Sequence, residues 1–333
     1  MSKTKKSIFI VWKEYQRRVD VIAPYLETEH FYFYYPWEMK SKIFKAISYI
    51  PKTISTLNCL FKNKPALVFV QFPPTPALYA VAFYSWLTGV RYVSDCHIGV
   101  TNEMWMNWLF AKKILAKGEM IVHNAHLVQQ VEESVKIKPF VVRDGIAKKE
   151  EVEIRESSLL DEIGLSPKKY VLFPSSFDKD EPLEEVFGAA RLLPEIKFVM
   201  TWHVEKLSKE MKRSLPPNIV LTGFLEIGDF NYLFANAGVA LVLTKNEGVQ
   251  LSGMQEAMAF ESPAVVSDLK TTRFLYKEFP VYVKNEPKSI AQGISYAFEN
   301  GAELGEGMRE LRVESEKEFY EQVTHLKLSL GLP

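Results

Sequence analysis

The chain has 333 residues, of which 47% are apolar and 25% charged, with 41 Lys and Arg set against 41 Asp and Glu. That length suits two domains of roughly 150 residues better than a single core, and the composition excludes a disordered, collagenous or disulfide-stapled chain. Only two cysteines occur and no Cys/His cluster has zinc-ligand spacing, so a reducing, cytoplasmic setting with no metal site is expected.

In chain order, the basic start MSKTKKSIFIVW carries a short apolar run that meets Lys13 and Glu14 at once and has no small-residue cleavage site. It reads as a buried first strand, SIFIVW, and not as a signal peptide. Arg17 and Arg18 open the helix that follows, at the carboxyl end of that strand, where an acceptor phosphate site and a solvated helix start are equally compatible with the pattern. Pro36 to Lys64 interleaves lysine with Trp, Phe, Ile and Tyr around one acidic residue. Such a helix either turns its apolar face into the core or lies on anionic lipid, and Lys42 and Lys45 are then membrane contacts. ALVFVQF is a second strand, and PALYAVAFYSWLTGV, too short for the roughly 20 residues that span a bilayer, reads as a buried helix. RYVSDCH, EMIVHN and PFVVRD complete the strands of the first half. Between the first two of these, EMWMNWLF has core-like helical spacing, with Trp105 a candidate for contact with a lipid chain.

The charged stretch DGIAKKEEVEIRESS has no clear period and marks a linker near residues 145–160, dividing a domain at 1–150 from one at 151–312. YVLFPSS, KFVMTW, NIVLTGF, VALVLTK, PAVVSD and PVYV are the strands of the second half. EGMRELRVESEKEFYEQVTHLKLSL is a closing helix, expected from residue 313 onward to pack back toward the first domain. Strands alternating with helical patterns imply α/β architecture, two doubly wound units with parallel sheets. Ligands of such sheets sit beyond the carboxyl ends of the strands, which draws notice to Asp95, His97, Gly145, Ser176 and Lys245.

Charge is unevenly spread. Residues 1–150 hold 21 Lys and Arg against 12 Asp and Glu, about +9 net, so the first half should favour an anionic partner. No nucleic-acid-binding motif accompanies the charge, which leaves anionic lipid or a phosphorylated acceptor.

The segment NEGVQLSGMQEAMAFESPAVVSD places Gly248 and the Ser252-Gly253 pair just before a helix starting near Met254, so that amide N–H groups and the helix dipole can meet a diphosphate. It resembles the EGFGLPxxEAMAxGxPVVASD signature of nucleotide-sugar glycosyltransferases, especially the large retaining family with an E-x7-E motif. NIVLTGFLEIGDFNYLFANAGVALVLT and VVRDGI are similar to that family's preceding segment and interdomain turn. VQFPPTP and DCHIG more loosely resemble mannosyltransferases of lipid-linked glycan assembly. The resemblance implies a GT-B fold, two Rossmann-like domains facing a cleft. It implies a metal-independent transferase without cofactor that moves a sugar from a nucleoside-diphosphate sugar to a hydroxyl of a lipid-linked glycan, in polysaccharide or glycolipid synthesis. Such an enzyme is peripheral at the inner face of the membrane. Glu247 then accepts from hydroxyls of the donor sugar and Glu256 from the ribose, while His97 lies near the transferring sugar with Asp95 orienting it or serving as base. Lys245 and Arg273, with the amides of Ser252 to Met254, are expected on the diphosphate.

Four departures stand beside this likeness. Eight residues separate Glu247 from Glu256 where the family has seven, Ser262 replaces a glycine, no Arg/Lys clamp follows the first strand of the second domain, and WKEYQRR replaces a glycine-rich loop. Rival readings are a sugar-nucleotide epimerase of the same fold and a non-catalytic sugar-nucleotide or glycan-binding module. A dinucleotide oxidoreductase is the least favoured reading, since no GxGxxG follows any strand.

Overall fold

A computed structural model describes residues 6–96, 102–146, 158–175, 179–202 and 207–332. The chain forms two compact units, Met1–Gly145 with Lys317–Pro333, and Ile146–Glu316. The expected linker lies largely outside the described residues.

In the first unit the strands are β1 (Ser7–Val11), β2 (Thr28–Tyr32), β3 (Leu67–Phe72), β4 (Arg91–Cys96), β5 (Glu119–Val122) and β6 (Phe140–Val141). Its helices are α1 (Arg17–Tyr25), α2 (Lys42–Asn63), α3 (Thr75–Thr88), α4 (Glu103–Met106), α5 (Ala111–Leu115) and α6 (Leu127–Ser134). The second unit has α7 (Leu159–Glu162), β7 (Tyr170–Phe173), α8 (Leu183–Leu192), β8 (Lys197–Met200), α9 (Lys209–Ser214) and β9 (Ile219–Leu221). It continues with α10 (Ile227–Asn236), β10 (Val239–Val242), α11 (Ser252–Ala259), β11 (Ala264–Ser267), α12 (Lys270–Tyr276), β12 (Val281–Val283) and α13 (Pro287–Glu299). Helix α14 (Gly301–Leu330) gives its first half to the second unit and its last turns to the first.

The first sheet is ordered β2-β1-β3-β4-β5-β6 and the second β12-β11-β10-β7-β8-β9, with parallel pairing throughout among the described residues. Each sheet has apolar clusters on both faces. That is why β1, β3, β7, β10 and β11 are buried at every position and read as nearly continuous apolar runs instead of alternating ones. Strand β2 gives no such run. It is an edge strand whose Glu29 and His30 are exposed, so neither burial nor period marks it. The order reverses at β1 in the first sheet and at β7 in the second, and these switch points are where an open α/β sheet leaves a crevice. Among the described residues no helix is long and apolar enough to cross a membrane.

Candidate functional site

The crevice of the second unit lies where β7 and β10 run in parallel and their continuations diverge. A cavity of about 160 Å³ sits there, lined by Phe173 and Pro174 after β7, Asp180 and Glu181, the end of β10, and Val249 to Gly253. Gly253 packs closely on the strands: a Cβ at that position would lie 3.1 Å from both Pro174 Cγ and Val242 Cγ1, so a side chain would need these neighbours to give way. The N–H groups of Ser252 and Gly253 therefore open α11 at the cavity with no acceptor inside the helix. Met254 does not join them. Its amide donates to Leu251 O at 3.1 Å and its side chain is fully buried in the core, which corrects the expectation that it binds the diphosphate.

Polar side chains in this region are buried. Glu256 and Gln255 are each only 7% exposed on a helix otherwise packed by Met and Ala, and the Oε1 atoms of Gln250 and Gln255 have no hydrogen-bond partner. A buried carbonyl without a donor costs about 1–3 kcal/mol, which a bound hydroxyl or N–H would recover. A ring of hydrogen bonds fixes the neighbouring strand ends. Thr244 N donates to Ser267 Oγ at 3.0 Å, Ser267 Oγ to Asn285 Oδ1 at 2.8 Å, and Asn285 Nδ2 to Thr244 O at 2.9 Å. Across the crevice, Thr244 Oγ1 donates to Asp180 Oδ2 at 3.0 Å and Lys245 N to Asp180 O at 2.6 Å.

Glu181 also lines a second, larger cavity of about 450 Å³ with Lys179, Phe187, Trp202, Leu207, Met211 and Lys245. The lining joins two lysines and an indole ring to two glutamates, Glu181 and Glu184, a set that can meet a planar ring, a phosphate and ribose or sugar hydroxyls. Lys245 is the one of the two expected cations that this site receives; its Nζ lies 3.8 Å from Glu185 Oε2. Arg273 lines neither cavity. Its Nη2 donates to Asp268 Oδ2 at 2.9 Å, and its guanidinium lies 4.4 Å from the Tyr282 ring centre, so it is engaged on α12.

Glu247 is likewise committed. Oε1 accepts from Lys270 N at 3.0 Å, and Oε2 from Thr271 N at 3.0 Å and Thr271 Oγ1 at 2.8 Å, so the carboxylate caps α12. The Thr271 amide, followed by its hydroxyl and the Lys270 amide, holds the carboxyl below the ordinary glutamate range despite some desolvation. Gly248, at φ +81°, turns the chain so that its own amide donates to Thr271 Oγ1 at 2.9 Å. A carboxylate has about four acceptor positions, and three bonds leave one for a sugar hydroxyl.

In the first unit, Arg18 and Asp95 are partners of one another and not two separate site residues. Arg18 Nε and Nη2 meet Asp95 at 3.0 and 2.9 Å, Nη1 meets Asp144 at 2.6 Å, and Nη2 donates to Val142 O at 2.9 Å. Arg18 is 5% exposed and Asp95 fully buried. Burial opposes the guanidinium charge, but the two carboxylates outweigh it and the group stays protonated well above its ordinary range. The readings of Arg18 as an acceptor-phosphate ligand and of Asp95 as a base are therefore replaced by a buried ionic strut joining α1, β4 and the segment after β6. Arg17, half-buried, remains at the start of α1. Gly145 is also structural, since a Cβ there would lie 2.4 Å from Val21 Cγ1 and 3.1 Å from Phe319 Cζ. Trp105 stacks on Trp108 with centroids 5.8 Å apart and packs against the core, while Lys42 and Lys45 are exposed on α2. His97 and Ser176 lie outside the described residues.

Neither the protein-family models nor the curated proteins give a match to this chain. Solved structures do. Alr3699/HepE of Anabaena in complex with UDP and glucose aligns over 98% of this chain and 99% of its own, with 12% identity and a TM-score of 0.74. Sucrose-phosphate synthase of Thermosynechococcus elongatus aligns over 98% and 99%, with 13% identity and a TM-score of 0.74. The fold is GT-B. The same GT-B likeness extends to S. aureus MnaA solved with UDP, at 14% identity, 98% coverage of both chains and a TM-score of 0.63.

Of the donor residues expected from sequence, Ser252 and Gly253 line the first cavity and Lys245 the second, whereas Gly248 and Glu256 line neither. Sequence reasoning missed Gln250, whose signal is an amide among apolar neighbours, and Asp180 and Glu181, which line the cavity where positive charge was sought. Among the described residues no group of three or more His, Cys, Asp and Glu side chains is gathered as for a metal ion.

Proposed function

We propose that the chain is a glycosyltransferase that takes a sugar from a UDP-sugar in the second unit and passes it to a hydroxyl of a lipid-linked glycan, with no metal or further cofactor, in polysaccharide or glycolipid synthesis. The observation that carries this reading is the crevice at β7 and β10, where the first turn of α11 and the unpartnered carbonyl of Gln250 line one cavity and Glu181 links it to a second, lined by Lys179, Lys245 and Trp202. The two cavities together reach the range of small-ligand sites, roughly 300–1,000 Å³. The amides of Ser252 and Gly253 and Lys245 would hold the leaving diphosphate, Glu256 and the glutamines the nucleoside, and Glu247 a sugar hydroxyl. Orientation and charge stabilisation then supply the rate. UDP is the nucleotide to favour, because three of the structures of like fold were solved with UDP or UDP-glucose and a further one with UDP. The basic first half supports a partner of anionic lipid at the inner membrane face.

The experiment is thermal unfolding with UDP, GDP, ADP and CMP, in wild type and Glu256→Ala. UDP at about 100 times its dissociation constant should add roughly 2.7 kcal/mol to the wild type and little to the variant. No shift from any nucleotide would overturn the donor site. Epimerases share the fold, a putative UDP-N-acetylglucosamine 2-epimerase of Listeria monocytogenes among them, with a TM-score of 0.60. Inversion at the sugar C2 without release of UDP would replace transfer by that reading.

A further inference from the structure

Helix α2 is turned inside out. Its buried residues are Ser48, Lys52, Thr56 and Leu60, and polar contacts seat them: Trp12 Nε1 donates to Thr56 Oγ1 at 2.9 Å, and Lys52 Nζ lies 2.6 Å from Glu38 Oε2. Its other face carries Ile43, Ile47, Ile50, Ile54 and Phe61, each 43–72% exposed. At 3.6 residues per turn these five fall within an arc of roughly 60°, opposite the buried four. The sequence left open whether the apolar face of this helix is core; it is the polar face that is core.

The neighbouring elements extend the same surface. Helix α3 packs on α2, Phe61 meeting Tyr84 with centroids 5.1 Å apart, and exposes Phe83, Trp86 and Leu87. Trp108, Leu109 and Phe110 are also exposed and are held to α3 by Tyr79, which meets the Trp108 ring at 6.2 Å and donates its hydroxyl to Leu109 O. Apolar exposure on this scale marks an interaction surface. Charge identifies the occupant. Pro36 to Lys64 has six lysines and one acid, Glu38, which Lys52 neutralises. Lys40, Lys42, Lys45, Lys62 and Lys64 remain exposed around the stripe, and Lys112 and Lys113 follow Phe110.

We propose that the outward face of α2, the end of α3 and the Trp108–Phe110 turn form one surface that inserts into an anionic bilayer. Isoleucine and aromatic side chains enter the acyl boundary and the lysines meet headgroup phosphates. The proposal deepens the membrane part of the function proposed above, and rests on it for the purpose of the surface, not on the transfer reaction. Because apolar burial carries most of the attraction, binding persists in salt that would screen lysines alone.

The test is co-sedimentation of the full chain with phosphatidylcholine vesicles, with and without phosphatidylglycerol, at low and high salt. Wild type should pellet with the anionic vesicles at both salt levels. The pair Ile47→Asp and Ile50→Asp should lose more than about tenfold in partitioning. The pair Lys42→Gln and Lys45→Gln should lose less, and mainly at low salt. Quenching of tryptophan fluorescence by bromine-labelled acyl chains should fall in Trp86→Phe. The UDP-induced thermal shift, measured on each variant, should not change, which separates failure of this surface from failure of the donor site and shows that the variants fold. Wild type that stays in the supernatant with both vesicles overturns the proposal, as does an isoleucine pair that pellets like wild type. A wild-type dimer that the isoleucine pair converts to a monomer, with no vesicle binding, assigns the face to a second copy instead.

Discussion

At the carboxyl edge of the first sheet a guanidinium, two carboxylates and a carbonyl close on one another, whereas at the carboxyl edge of the second the first turn of α11 meets a cavity and two glutamine carbonyls lack donors. Both edges are switch points of parallel sheets and both carry buried polar groups. The Arg18 cluster is satisfied from within and the two glutamine carbonyls are not; Gln71 Oε1 and the Asn124 side chain, near the ends of β3 and β5, share the second condition. Satisfied groups hold a fold together and turn substitution into lost stability; unsatisfied ones await a ligand and turn substitution into lost binding. The comparison teaches that a buried charged residue whose partners close on it is a strut, whereas the Gln250 carbonyl, unpartnered in the lining of a cavity, can take a ligand.

The largest effect should come from the first edge. Arg18→Ala leaves Asp95 buried without its cation and should lower unfolding stability by about 3–5 kcal/mol, read by denaturant titration. If it instead left stability within about 1 kcal/mol of wild type while abolishing transfer, the strut would be a site and the comparison would break. At the second edge, Gly253→Val drives new methyl groups into Pro174 and Val242, for a loss of about 1–3 kcal/mol and of the UDP-induced shift together.

Gln255→Leu sharpens the contrast because its two effects have opposite signs. Replacing a buried amide whose Oε1 has no partner by an apolar group of similar size should leave the free protein as stable as wild type, or more stable by about 1 kcal/mol, while UDP affinity falls about tenfold. Affinity from calorimetry and stability from unfolding without ligand check the two arms. A variant that loses stability and keeps affinity would show that Gln255 belongs with the strut residues.

What the sequence shows and what it hides follow the same division. Strands buried on both faces are visible as apolar runs, and Gly253 is visible beside Ser252 ahead of an apolar helical pattern, although the helix already begins at Ser252. Edge strand β2 carries no run and stays hidden. The pairing of Arg18 with Asp95 joins residues 77 apart in sequence and that with Asp144 joins residues 126 apart, so no local pattern announces either. Glu247 reads as a ligand-binding acid because its partners, 23 and 24 residues onward, are backbone amides that any sequence would supply. The inverted face of α2 is hidden for another reason: periodicity locates an apolar stripe but not the direction it points.

The smallest effect concerns that cap. Glu247 is an exposed carboxylate whose bonds to the start of α12 favour its charged form, so its pKa in the folded chain lies below that in the unfolded chain. A depressed pKa gives stability that is fully present above the unfolded value and is lost as pH falls through the folded one. Glu247→Ala should therefore cost about 1 kcal/mol or less at neutral pH, as the loss of an N-terminal cap does. The thermal midpoints of variant and wild type should converge as pH drops below the ordinary glutamate range. If they stay apart in acid, the cap works through the carboxyl group's shape or its neutral hydrogen bonds and not through charge. If they coincide at neutral pH while transfer is lost, Glu247 holds a sugar hydroxyl with the acceptor position that α12 leaves open, and contributes little to the fold.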